Sequence, residues 1–567
     1  MTGSGPGERA EKSGRSPTHP WRDRGRRDLV LLALLAACVV LPGIGARDLW
    51  NPDEPRYAQV AREMRESGRF LVPHFNGRLY TEKPPLLFWS IAAAAALRGG
   101  LDETAVRLPS ALAAIGSVLL VYALGRRLFD RRAAWIAAAV FLTNAKVLWQ
   151  ARFGQIDMLL TFLVLCAAFF WVRGSLEHRP GLSYLFFGFA GLATLAKGPV
   201  GLLPPLLSLL AFMALTRDRQ ALRELHLGRG LLLWAVIVSA WLLPAILSAG
   251  SEYMDEMLVR QNVTRYLSPS HHVKPFWYFA MVLPVDFLPW SFFLPSALAG
   301  ARSLDAPRRR WVLLLLCWVV VTLVFFSLSP GKRTVYILTM YPALALLSGA
   351  GLAALSRAGR GARVWLAVPA GALAVLIWVL AIAVPVAASR PDVPAFVAPL
   401  APSLAIVVGA AAAAATAAFV LALRPQRAAP MVATIAASLA GIGIVLSIGL
   451  LPRLDRELSL RSLAGRVRRE MPESYELASL REMEGGLLFY GSGYARELWD
   501  EGEVRSFLAG GRPVWLVVDP DELSILTPPR DLEVVARQGE REDGVRILST
   551  PGPVRPTDAT APGGRDR

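Results

Sequence analysis

Acidic, basic and aromatic residues crowd together directly after the first apolar run of the chain. That run is followed by Asp48-Leu49-Trp50-Asn51-Pro52-Asp53-Glu54-Pro55-Arg56-Tyr57, in which Asp53 and Glu54 are adjacent carboxylates. A carboxylate in such a place can accept a proton from an attacking hydroxyl. It can equally begin a helix, because an acid in the first turn is stabilised by the helix dipole. The pattern leaves both interpretations open.

Comparable polar groups recur at the edges of later apolar runs. They are Tyr80-Thr81-Glu82-Lys83-Pro84-Pro85, Gln155-Ile156-Asp157, Lys197-Gly198-Pro199, His271-His272-Val273-Lys274-Pro275 and Gly331-Lys332-Arg333-Thr334-Val335-Tyr336. Lysine and arginine can neutralise a phosphate leaving group, and a nearby carboxylate can serve the attacking group. This mixture of side chains predicts group transfer from a phosphorylated donor.

Composition places these groups in a membrane protein. The chain has 567 residues, of which 54% are hydrophobic. Apolar runs recur from residue 29 to residue 451, and a helix of about twenty residues crosses roughly 30 Å of hydrocarbon. The three cysteines, Cys38, Cys166 and Cys317, lie inside apolar runs and indicate neither a disulfide framework nor a thiolate metal site. We expect a mainly α-helical, multi-pass membrane protein.

Thirteen membrane spans are predicted. They cover residues 28–46, 105–125, 133–149, 156–173, 182–196, 199–216, 231–249, 283–300, 311–328, 334–355, 363–387, 402–423 and 430–450. The apolar stretch 84–98 opens with two prolines and is short for a span, so we expect an interfacial or re-entrant helix there. Residues 1–27 are polar and predict a disordered cytoplasmic tail.

The arginine clusters predict the orientation of these spans in the membrane. The net charge of +17 comes from short clusters between apolar runs and forms no stripe that would indicate nucleic-acid binding. With thirteen spans, five clusters fall on the cytoplasmic side, as the positive-inside rule requires. These clusters are Arg126/Arg127/Arg131/Arg132, Arg217/Arg219/Arg223/Arg229, Arg302/Arg308/Arg309/Arg310, Arg357/Arg360/Arg363 and Arg424/Arg427. The polar groups described above then all lie on the extracytoplasmic side, and we expect them to share one polar cavity.

The composition changes near residue 452 to that of a water-soluble domain. We predict a transmembrane domain over 28–451, with its first outer loop at 47–104, and a small extracytoplasmic α/β domain over 452–549. A polar helix-like segment at 456–471 and apolar runs of strand type at 487–490 and 514–518 support the latter. Residues 550–567 predict a disordered tail.

The order and spacing of the motifs resemble the polyprenyl-phosphate-dependent membrane glycosyltransferases of the C-type (GT-C) fold, in the superfamily of aminoarabinose (lipid A) transferases and protein O-mannosyltransferases. The resemblance covers about residues 28 to 350. It rests on Asp53-Glu54-Pro55-Arg56-Tyr57, Glu82-Lys83-Pro84-Pro85-Leu86, Arg107-Leu108-Pro109-Ser110, Asp157, and Lys332-Arg333 followed by Tyr341-Pro342.

The resemblance implies transfer of a sugar from a polyprenyl-phosphate carrier to a lipid A-like glycolipid or glycan in the envelope. Asp53 would be the catalytic acid or base, with Glu54 and Asp157 as further catalytic candidates. The donor phosphate would be bound by residues among Arg56, Tyr57, Tyr80, Lys83, Lys197, Lys274, Lys332, Arg333, Tyr336 and Tyr341. A divalent metal ion would be held by Glu82 with His271 or His272. No nucleotide cofactor is expected, because no Gly-rich phosphate loop precedes the spans.

Other interpretations of the same residues stay open at this stage. The histidine pair could lie in a hydrated loop, and Lys83 could be an interfacial anchor. Asp157 could have only the structural role of stabilising the dipole of the helix that it begins. Lys332 and Arg333 could simply flank a span. At the level of the whole chain, the alternatives are a protein O-mannosyltransferase, a transporter or flippase for lipid-linked sugars, and a scaffold that binds envelope partners through the C-terminal domain.

Overall fold

The computed structural model describes residues 20–250, 253, 255–264, 266, 273–388, 390, 398–491, 494–509, 513–519, 532–538 and 544–549. The described part before residue 452 contains eighteen α-helices. They are α1 Pro20–Val40, α2 Asp53–Ser67, α3 Leu86–Arg98, α4 Glu103–Leu128, α5 Arg131–Leu142, α6 Ala145–Gln150, α7 Ile156–Leu176, α8 Ser183–Lys197, α9 Leu203–Thr216, α10 Arg219–Glu224, α11 Leu227–Ala249, α12 Tyr278–Asp286, α13 Leu294–Ala301, α14 Ala306–Leu328, α15 Tyr341–Leu355, α16 Arg363–Ala388, α17 Ala401–Ala422 and α18 Ala428–Val445.

Short 3₁₀ and π segments join or extend these helices. The 3₁₀ segments are Pro180–Leu182, Gly198–Gly201, Trp290–Phe293, Thr334–Met340, Arg360–Ala362, Ala398–Leu400, Pro425–Arg427 and Leu451–Leu454, and the π segments are Asp255–Thr264 and Leu446–Leu450. The loop after α2 holds a two-stranded antiparallel ribbon, β1 His74–Phe75 and β2 Arg78–Leu79.

The chain is a multi-pass membrane protein. Among the described residues, eight helical stretches are long and apolar enough to cross a membrane, or ten if each of two bent helix pairs counts as one span. The stretches are Glu103–Leu128, Ile156–Leu176, Arg219–Ala249, Ala306–Leu328, Thr334–Leu355, Arg363–Ala388, Ala401–Ala422 and Pro425–Leu458. The count of thirteen stays a prediction. Helix α3 has 13 residues, or about 20 Å, which is too short to span, as expected for the stretch 84–98.

Two predicted spans are broken in the structure. The span at 133–149 is split into α5 and α6, because the Asn144 side chain accepts a hydrogen bond from the Val147 backbone N–H at 3.1 Å and begins a new helix. The stretch 283–300 bends by 102° between α12 and the helical segment Trp290–Ala301. The two separately predicted spans 182–196 and 199–216 meet at 83°, between the helical segment Pro180–Gly201 and α9. Helix α1 begins at Pro20, inside the segment predicted as a disordered tail; residues 1–19 lie outside the described part.

Ion pairs and hydrogen bonds tie the arginine-rich loops to one another at one end of the bundle. Arg131 pairs with Asp28 of α1 at 2.6 Å, and Arg357 pairs with Asp130 at 3.0 Å. Arg132 donates to the backbone carbonyl of Gln426 at 2.8 Å. The loops that carry Asp53 and the other predicted site residues meet at the opposite end, as described below. The structure therefore separates the two sets of loops as the charge pattern predicted.

Helix α15 forms the centre of the bundle, and every one of its fifteen residues is buried. Glycines allow its neighbours to approach closely. A Cβ on Gly349 would come within 2.3 Å of the Ala133 carbonyl of α5, and one on Gly351 within 1.9 Å of the Ala297 carbonyl of α13. Small residues at helix interfaces permit this packing in membranes. The central helix thus fixes the position of the residues just before it, which include Arg333 and Tyr336.

The part after residue 452 forms the small α/β domain that the sequence predicted. It contains the helices α19 Asp455–Leu458, α20 Arg461–Glu470, α21 Gly485–Tyr490 and α22 Glu501–Ala509, and the strands β3 Glu476–Leu480, β4 Arg496–Leu498, β5 Val514–Val518, β6 Glu533–Arg537 and β7 Arg546–Ser549. The strand order is β4-β3-β5-β7-β6, with β5 fully buried at the centre.

One element of this domain was predicted wrongly. The apolar run 487–490 is not a strand but belongs to helix α21, which packs against α2. A run of only four apolar residues does not distinguish a buried strand from a buried helical turn. In this protein the run is helical and contacts α2. This contact joins the C-terminal domain directly to the loop that carries Asp53.

Candidate active site

Helix α2 begins with two acids that point in different directions and have different surroundings. Glu54 is fully buried and accepts hydrogen bonds from Arg47 Nη1 at 2.7 Å, Arg107 Nε at 2.7 Å, the Gly154 backbone N–H at 2.8 Å and the Trp50 backbone N–H at 3.1 Å. Burial would raise the pKa of Glu54, but the charges of Arg107 and Arg47 lower it to about 2. Glu54 therefore locks together the loop after α1, helix α4 and the loop before α7.

This environment does not suit the catalytic role predicted for Glu54. Both of its oxygens are occupied by donors, and two guanidinium groups hold it in the ionised form. A general base has to exchange a proton with a reacting group within hydrogen-bond reach. We interpret Glu54 as a positioning residue that fixes the start of α2.

Asp53 faces a different set of groups. Its Oδ2 accepts hydrogen bonds from Arg333 Nη2 at 2.8 Å and from the Gln155 side-chain amide. Burial alone would raise the pKa of Asp53, but the charge and hydrogen bond of Arg333, together with the Gln155 hydrogen bond, lower it below its ordinary value. Asp53 is therefore ionised at neutral pH, and it joins α2 to the loops before α7 and α15.

A second carboxylate, Asp157, lies in the first turn of α7. It pairs with Nζ of Lys197, the last residue of α8, and that ammonium group lies 4.6 Å from the ring centre of Tyr336. The charge of Asp157 also raises the pKa of Arg333, and Arg333 in turn binds Asp53. Three predicted site residues from distant parts of the chain are thereby brought together.

Arg56 links the site to the C-terminal domain. Its Nη1 lies 3.6 Å from Glu82 Oε1, and its Nη2 lies 3.0 Å from Glu482 Oε2. Lys83 Nζ lies 3.5 Å from Glu82 Oε2 and donates to the Glu82 carbonyl at 3.1 Å. Burial raises the pKa of Glu482, although Arg56 opposes this effect. The C-terminal domain therefore supplies a carboxylate to the site.

Two tyrosines line the same region. Tyr57 and Tyr80 are buried and pack edge-on against Phe88 of α3, with ring centres 5.8 and 5.9 Å away. The Tyr80 hydroxyl and Arg56 Nε are buried and have no hydrogen-bond partner among the described residues. Buried polar atoms of this kind are rare in proteins unless water or a ligand satisfies them. The unsatisfied Tyr80 hydroxyl and Arg56 Nε therefore indicate that a polar ligand binds beside them.

The charges of the cluster balance. Four cations, Arg56, Lys83, Lys197 and Arg333, face four carboxylates, Asp53, Glu82, Asp157 and Glu482. All four cations keep partial exposure, with 15 to 31% of each side chain accessible. A bound phosphate could therefore contact them without unfolding the site.

Three predicted phosphate ligands lie elsewhere. Lys332 is buried, and its Nζ donates to the backbone carbonyls of Lys274 at 3.0 Å and of Ser329, so it holds two loops together and is not directed at a ligand. The Lys274 side chain is exposed. Tyr341 is fully buried at the start of α15, where its ring contacts Phe287. The Lys332 ammonium group is thus directed at backbone carbonyls. Phosphate binding by Lys274 and Tyr341 stays a prediction, and the Tyr341 hydroxyl, like that of Tyr80, is buried with no hydrogen-bond partner among the described residues.

The predicted metal site is described only in part. His271 and His272 lie outside the described residues, and Glu82 pairs with two cations. Among the described residues, no group of three His, Cys, Asp or Glu side chains could hold a metal ion. Glu82 alone does not make a metal site.

The contribution of the C-terminal domain to the site was not predicted from the sequence. The segment Arg481-Glu482-Met483-Glu484-Gly485-Gly486 supplies Glu482 to Arg56, and Glu484 accepts a hydrogen bond from the Asn51 side chain at 2.6 Å. A Cβ on Gly485 would come within 2.7 Å of the Arg56 backbone nitrogen. Two acids beside a Gly-Gly pair were the available signal, since glycine permits close approach of two backbones.

Three comparisons relate the chain to known proteins. Residues 82–243 match the family model for dolichyl-phosphate-mannose-protein mannosyltransferase. The undecaprenyl phosphate-alpha-4-amino-4-deoxy-L-arabinose arabinosyl transferase of Shewanella sediminis is 33% identical over 332 residues, which cover 57% of this chain and 59% of the relative. The enzyme of the same name from Pectobacterium carotovorum is 34% identical and covers 59% and 60%. The chain thus spans about three fifths of the length of the curated relatives it matches.

Comparison of the fold matches a larger share of the chain than comparison of the sequence does. The crystal structure of ArnT from Cupriavidus metallidurans bound to undecaprenyl phosphate is similar with a TM-score of 0.75 and 25% sequence identity, over 93% of this chain and 98% of that one. The apo structure of the same protein is similar to the same degree. The likeness therefore includes the C-terminal domain, which lies beyond the reach of the family model. In its fold, and in its sequence over part of its length, the chain is similar to the aminoarabinose transferases, which are membrane glycosyltransferases of the C-type superfamily.

Proposed function

We propose that this chain is a glycosyltransferase that moves a sugar from a polyprenyl-phosphate carrier to an acceptor in the cell envelope. The observation that carries the proposal is the cluster around Asp53, in which an ionised carboxylate and four partly exposed cations meet at one end of a membrane bundle. The similar fold that binds undecaprenyl phosphate supports the class of carrier. The names of the curated relatives favour an aminopentose as the sugar.

The orientation is part of the proposal. The arginine-rich loops that contact one another would lie in the cytoplasm, because positive residues favour that side. Asp53, the cations around it and the C-terminal domain would then lie on the extracytoplasmic face of a cytoplasmic membrane. The N-terminus would be cytoplasmic.

Binding of the donor would rearrange the balanced charges. A phosphate adds negative charge to a site in which each cation already has a carboxylate partner. Lys83, whose Nζ lies 3.5 Å from the nearest Glu82 oxygen, would turn from that acid toward the phosphate more readily than a cation in a short ion pair. Lys197 would approach from the opposite side, on α8. The Tyr80 hydroxyl would donate a hydrogen bond to the same ligand.

The reaction would be a displacement at the anomeric carbon of the sugar. An oxygen of the acceptor forms the new bond to that carbon, while the bond from carbon to the carrier phosphate oxygen breaks and its electron pair leaves with the phosphate. Cations near the leaving phosphate stabilise this charge. Asp53 would accept the proton if the acceptor is a hydroxyl. With an acceptor phosphate that is already ionised, Asp53 would act through its charge and its hold on Arg333.

Substitution Asp53→Asn tests the assignment. We expect loss of at least a hundredfold in transfer, since general-base catalysis contributes typically 10²–10⁴-fold. The measurement is mass spectrometry of a reconstituted reaction that offers a panel of polyprenyl-phosphate sugars and total envelope lipid. Asp28→Asn is the matched control, because it breaks another buried Asp–Arg pair at the far end of the bundle. Substantial transfer by Asp53→Asn would refute the catalytic role.

A second candidate is protein O-mannosyl transfer, which the family match over residues 82–243 favours. Mannosyl-phosphate lipid and a serine-rich peptide should then be consumed together. Transfer to lipid with no modified peptide would exclude this candidate.

The proposal also includes a divalent metal ion, which Glu82 would bind together with His271 or His272. Removal of metal with EDTA, followed by addition of Zn²⁺ or Mg²⁺, tests it. Transfer that is lost and then restored would support the ion, and transfer that continues unchanged in EDTA would remove it from the proposal.

A further inference from the structure

A second polar cavity lies between the C-terminal domain and the start of a membrane span. Its volume is about 770 Å³, and four arginines line it: Arg62 of α2 and Arg461, Arg468 and Arg469 of α20. Leu101, Asp102 and Glu103 form the side that belongs to the membrane domain. None of the predicted site residues contributes to this lining.

The cavity is separate from the Asp53 cluster. Arg62 follows Asp53 by nine residues on α2, which at 3.6 residues per turn corresponds to about two and a half turns, so the two side chains lie on opposite faces of the helix. The contacts agree with this geometry. Asp53 binds Arg333, whereas Arg62 donates to the Phe489 carbonyl at 2.8 Å and lies 4.3 Å from the centre of the Phe489 ring.

The acids in this cavity do not balance its arginines. Asp102 pairs with Arg98 at 2.8 Å and caps α4, so it already has partners. Glu103 pairs with Arg461 at 3.1 Å and accepts a hydrogen bond from the Tyr490 hydroxyl at 3.0 Å.

Two exposed arginines, Arg468 and Arg469, have no ion pair among the described residues. With the Arg62 guanidinium beside them, the cavity keeps an excess of positive charge. An anion is therefore the ligand that it would favour.

The cavity lies at the end of a membrane span. Glu103 begins the membrane span Glu103–Leu128, so the cavity opens where hydrocarbon gives way to water. The apolar helix α3 ends at Arg98, three residues before the lining residue Leu101, and Leu97 near the end of α3 is 88% exposed. An exposed leucine four residues before the lining residue Leu101, together with a cluster of arginines, is the arrangement expected where a lipid inserts its chains and presents its phosphate.

We propose that this cavity binds the phosphate group of a membrane lipid on the Asp53 side of the bilayer. Guanidinium groups bind phosphate through two parallel hydrogen bonds, and Arg468 and Arg469 would provide them. Arg461 already bridges Asp48 and Glu103, at 2.9 and 3.1 Å, and so joins the C-terminal domain to the membrane domain. A lipid bound next to this bridge would hold the two domains together. The site does not depend on the proposed transferase activity.

The experiment is native mass spectrometry of the purified full-length protein, titrated with short-chain lipids. The probes are dioctanoyl phosphatidylglycerol, a phosphorylated glucosamine lipid, uncharged dioctanoylglycerol and inorganic phosphate. The variant is Arg468→Gln/Arg469→Gln. The matched control is Arg466→Gln/Arg505→Gln, which removes two charges from the same domain outside the cavity. Thermal unfolding midpoints of the three proteins establish that all are folded.

We expect the wild type and the control to bind one of the two phosphate-bearing lipids, and the Arg468/Arg469 variant to bind it at least tenfold more weakly. Whichever lipid binds more tightly identifies the source of the phosphate. Equal binding by the variant and the wild type would overturn the proposal. It would also fail if uncharged dioctanoylglycerol bound as well as the phosphate-bearing lipids, or if inorganic phosphate bound as tightly as the lipid.

Discussion

At the scale of single residues, Arg333 controls the ionisation of Asp53. Its guanidinium lies 2.8 Å from Asp53 Oδ2 and is the main cause that lowers the pKa of this buried acid. In Arg333→Met the effect of burial would remain and the opposing charge would be gone, so the pKa of Asp53 should rise. The acid limb of the pH profile of kcat/KM should therefore move to higher pH.

The control for this experiment is Arg98→Met, which removes an exposed arginine paired with Asp102. Its pH profile should match that of the wild type. An Arg333→Met enzyme with reduced activity but an unshifted acid limb would show that Arg333 serves the donor and does not set the ionisation of Asp53.

Glu54 differs from Asp53 in that its role is structural. Glu54→Gln would leave Arg47 and Arg107 buried without their counter-charge, and breaking a buried ion pair costs about 3–5 kcal/mol. We expect a marked fall in the thermal unfolding midpoint, whereas Glu103→Gln, at a half-buried ion pair, should change it little. A Glu54→Gln protein of wild-type stability that has lost turnover would restore the catalytic interpretation of Glu54.

The same residue predicts how stability depends on pH. The pKa of Glu54 is about 2 in the folded protein and 4.5 ordinarily. A lowered folded-state pKa stabilises the fold above the ordinary value, and this contribution is lost as pH falls from about 4.5 to about 2. Unfolding midpoints measured across that window should fall less steeply in Glu54→Gln than in the wild type.

At the scale of elements, the contact between α21 and α2 positions Arg56. Gly485 lies against the Arg56 backbone, where a Cβ would come within 2.7 Å of the nitrogen and 2.8 Å of Cα. Gly485→Ala should push α21 away from α2, lengthen the Arg56–Glu482 pair and raise the KM for the donor. Gly502→Ala is the control, because its Cβ would meet only the side chain of Asp500 at 3.1 Å. Equal KM values in the two variants would mean that this contact does not shape the site.

The elements also show which features the sequence could predict. Long apolar runs predicted α4, α7, α14, α16 and α17 well, because hydropathy over about twenty residues directly reflects burial in lipid. The broken spans at 133–149 and 283–300 could not be predicted in the same way. An Asn144 cap and a bend of 102° depend on neighbouring helices that satisfy the freed backbone groups.

At the scale of the whole molecule, the fold brings some of the predicted site residues together and not others. Motifs from four loops met around Asp53, as the charge pattern required, because charged groups at membrane depth gather in a common cavity. Lys332 was indistinguishable from Arg333 in the sequence, yet it binds backbone carbonyls. The contribution of Glu482 could not be predicted. No feature of the sequence around Glu482 indicates that this segment, more than 400 residues after Asp53, packs against Arg56.

That long-range packing leads to a prediction about the intact molecule. Asp455 accepts hydrogen bonds from the Asp48 backbone N–H at 2.9 Å and the Trp50 indole at 2.8 Å, and the Tyr490 hydroxyl accepts one from the Leu49 backbone N–H at 2.7 Å. These contacts hold the segment that immediately precedes Asp53. Asp455→Ala/Tyr490→Phe should therefore loosen residues 47–55 and reduce transfer, while the C-terminal domain stays folded.

Hydrogen exchange of the peptide that covers residues 47–55, measured together with transfer activity, tests this expectation. Asp500→Ala removes a helix cap elsewhere in the same domain and should leave that exchange unchanged. Faster exchange with lost transfer in the double variant alone would show that the C-terminal domain works by ordering the Asp53 loop. If exchange is unchanged while transfer is lost, the domain acts on a substrate instead, and Glu482 beside Arg56 becomes the residue through which it does so.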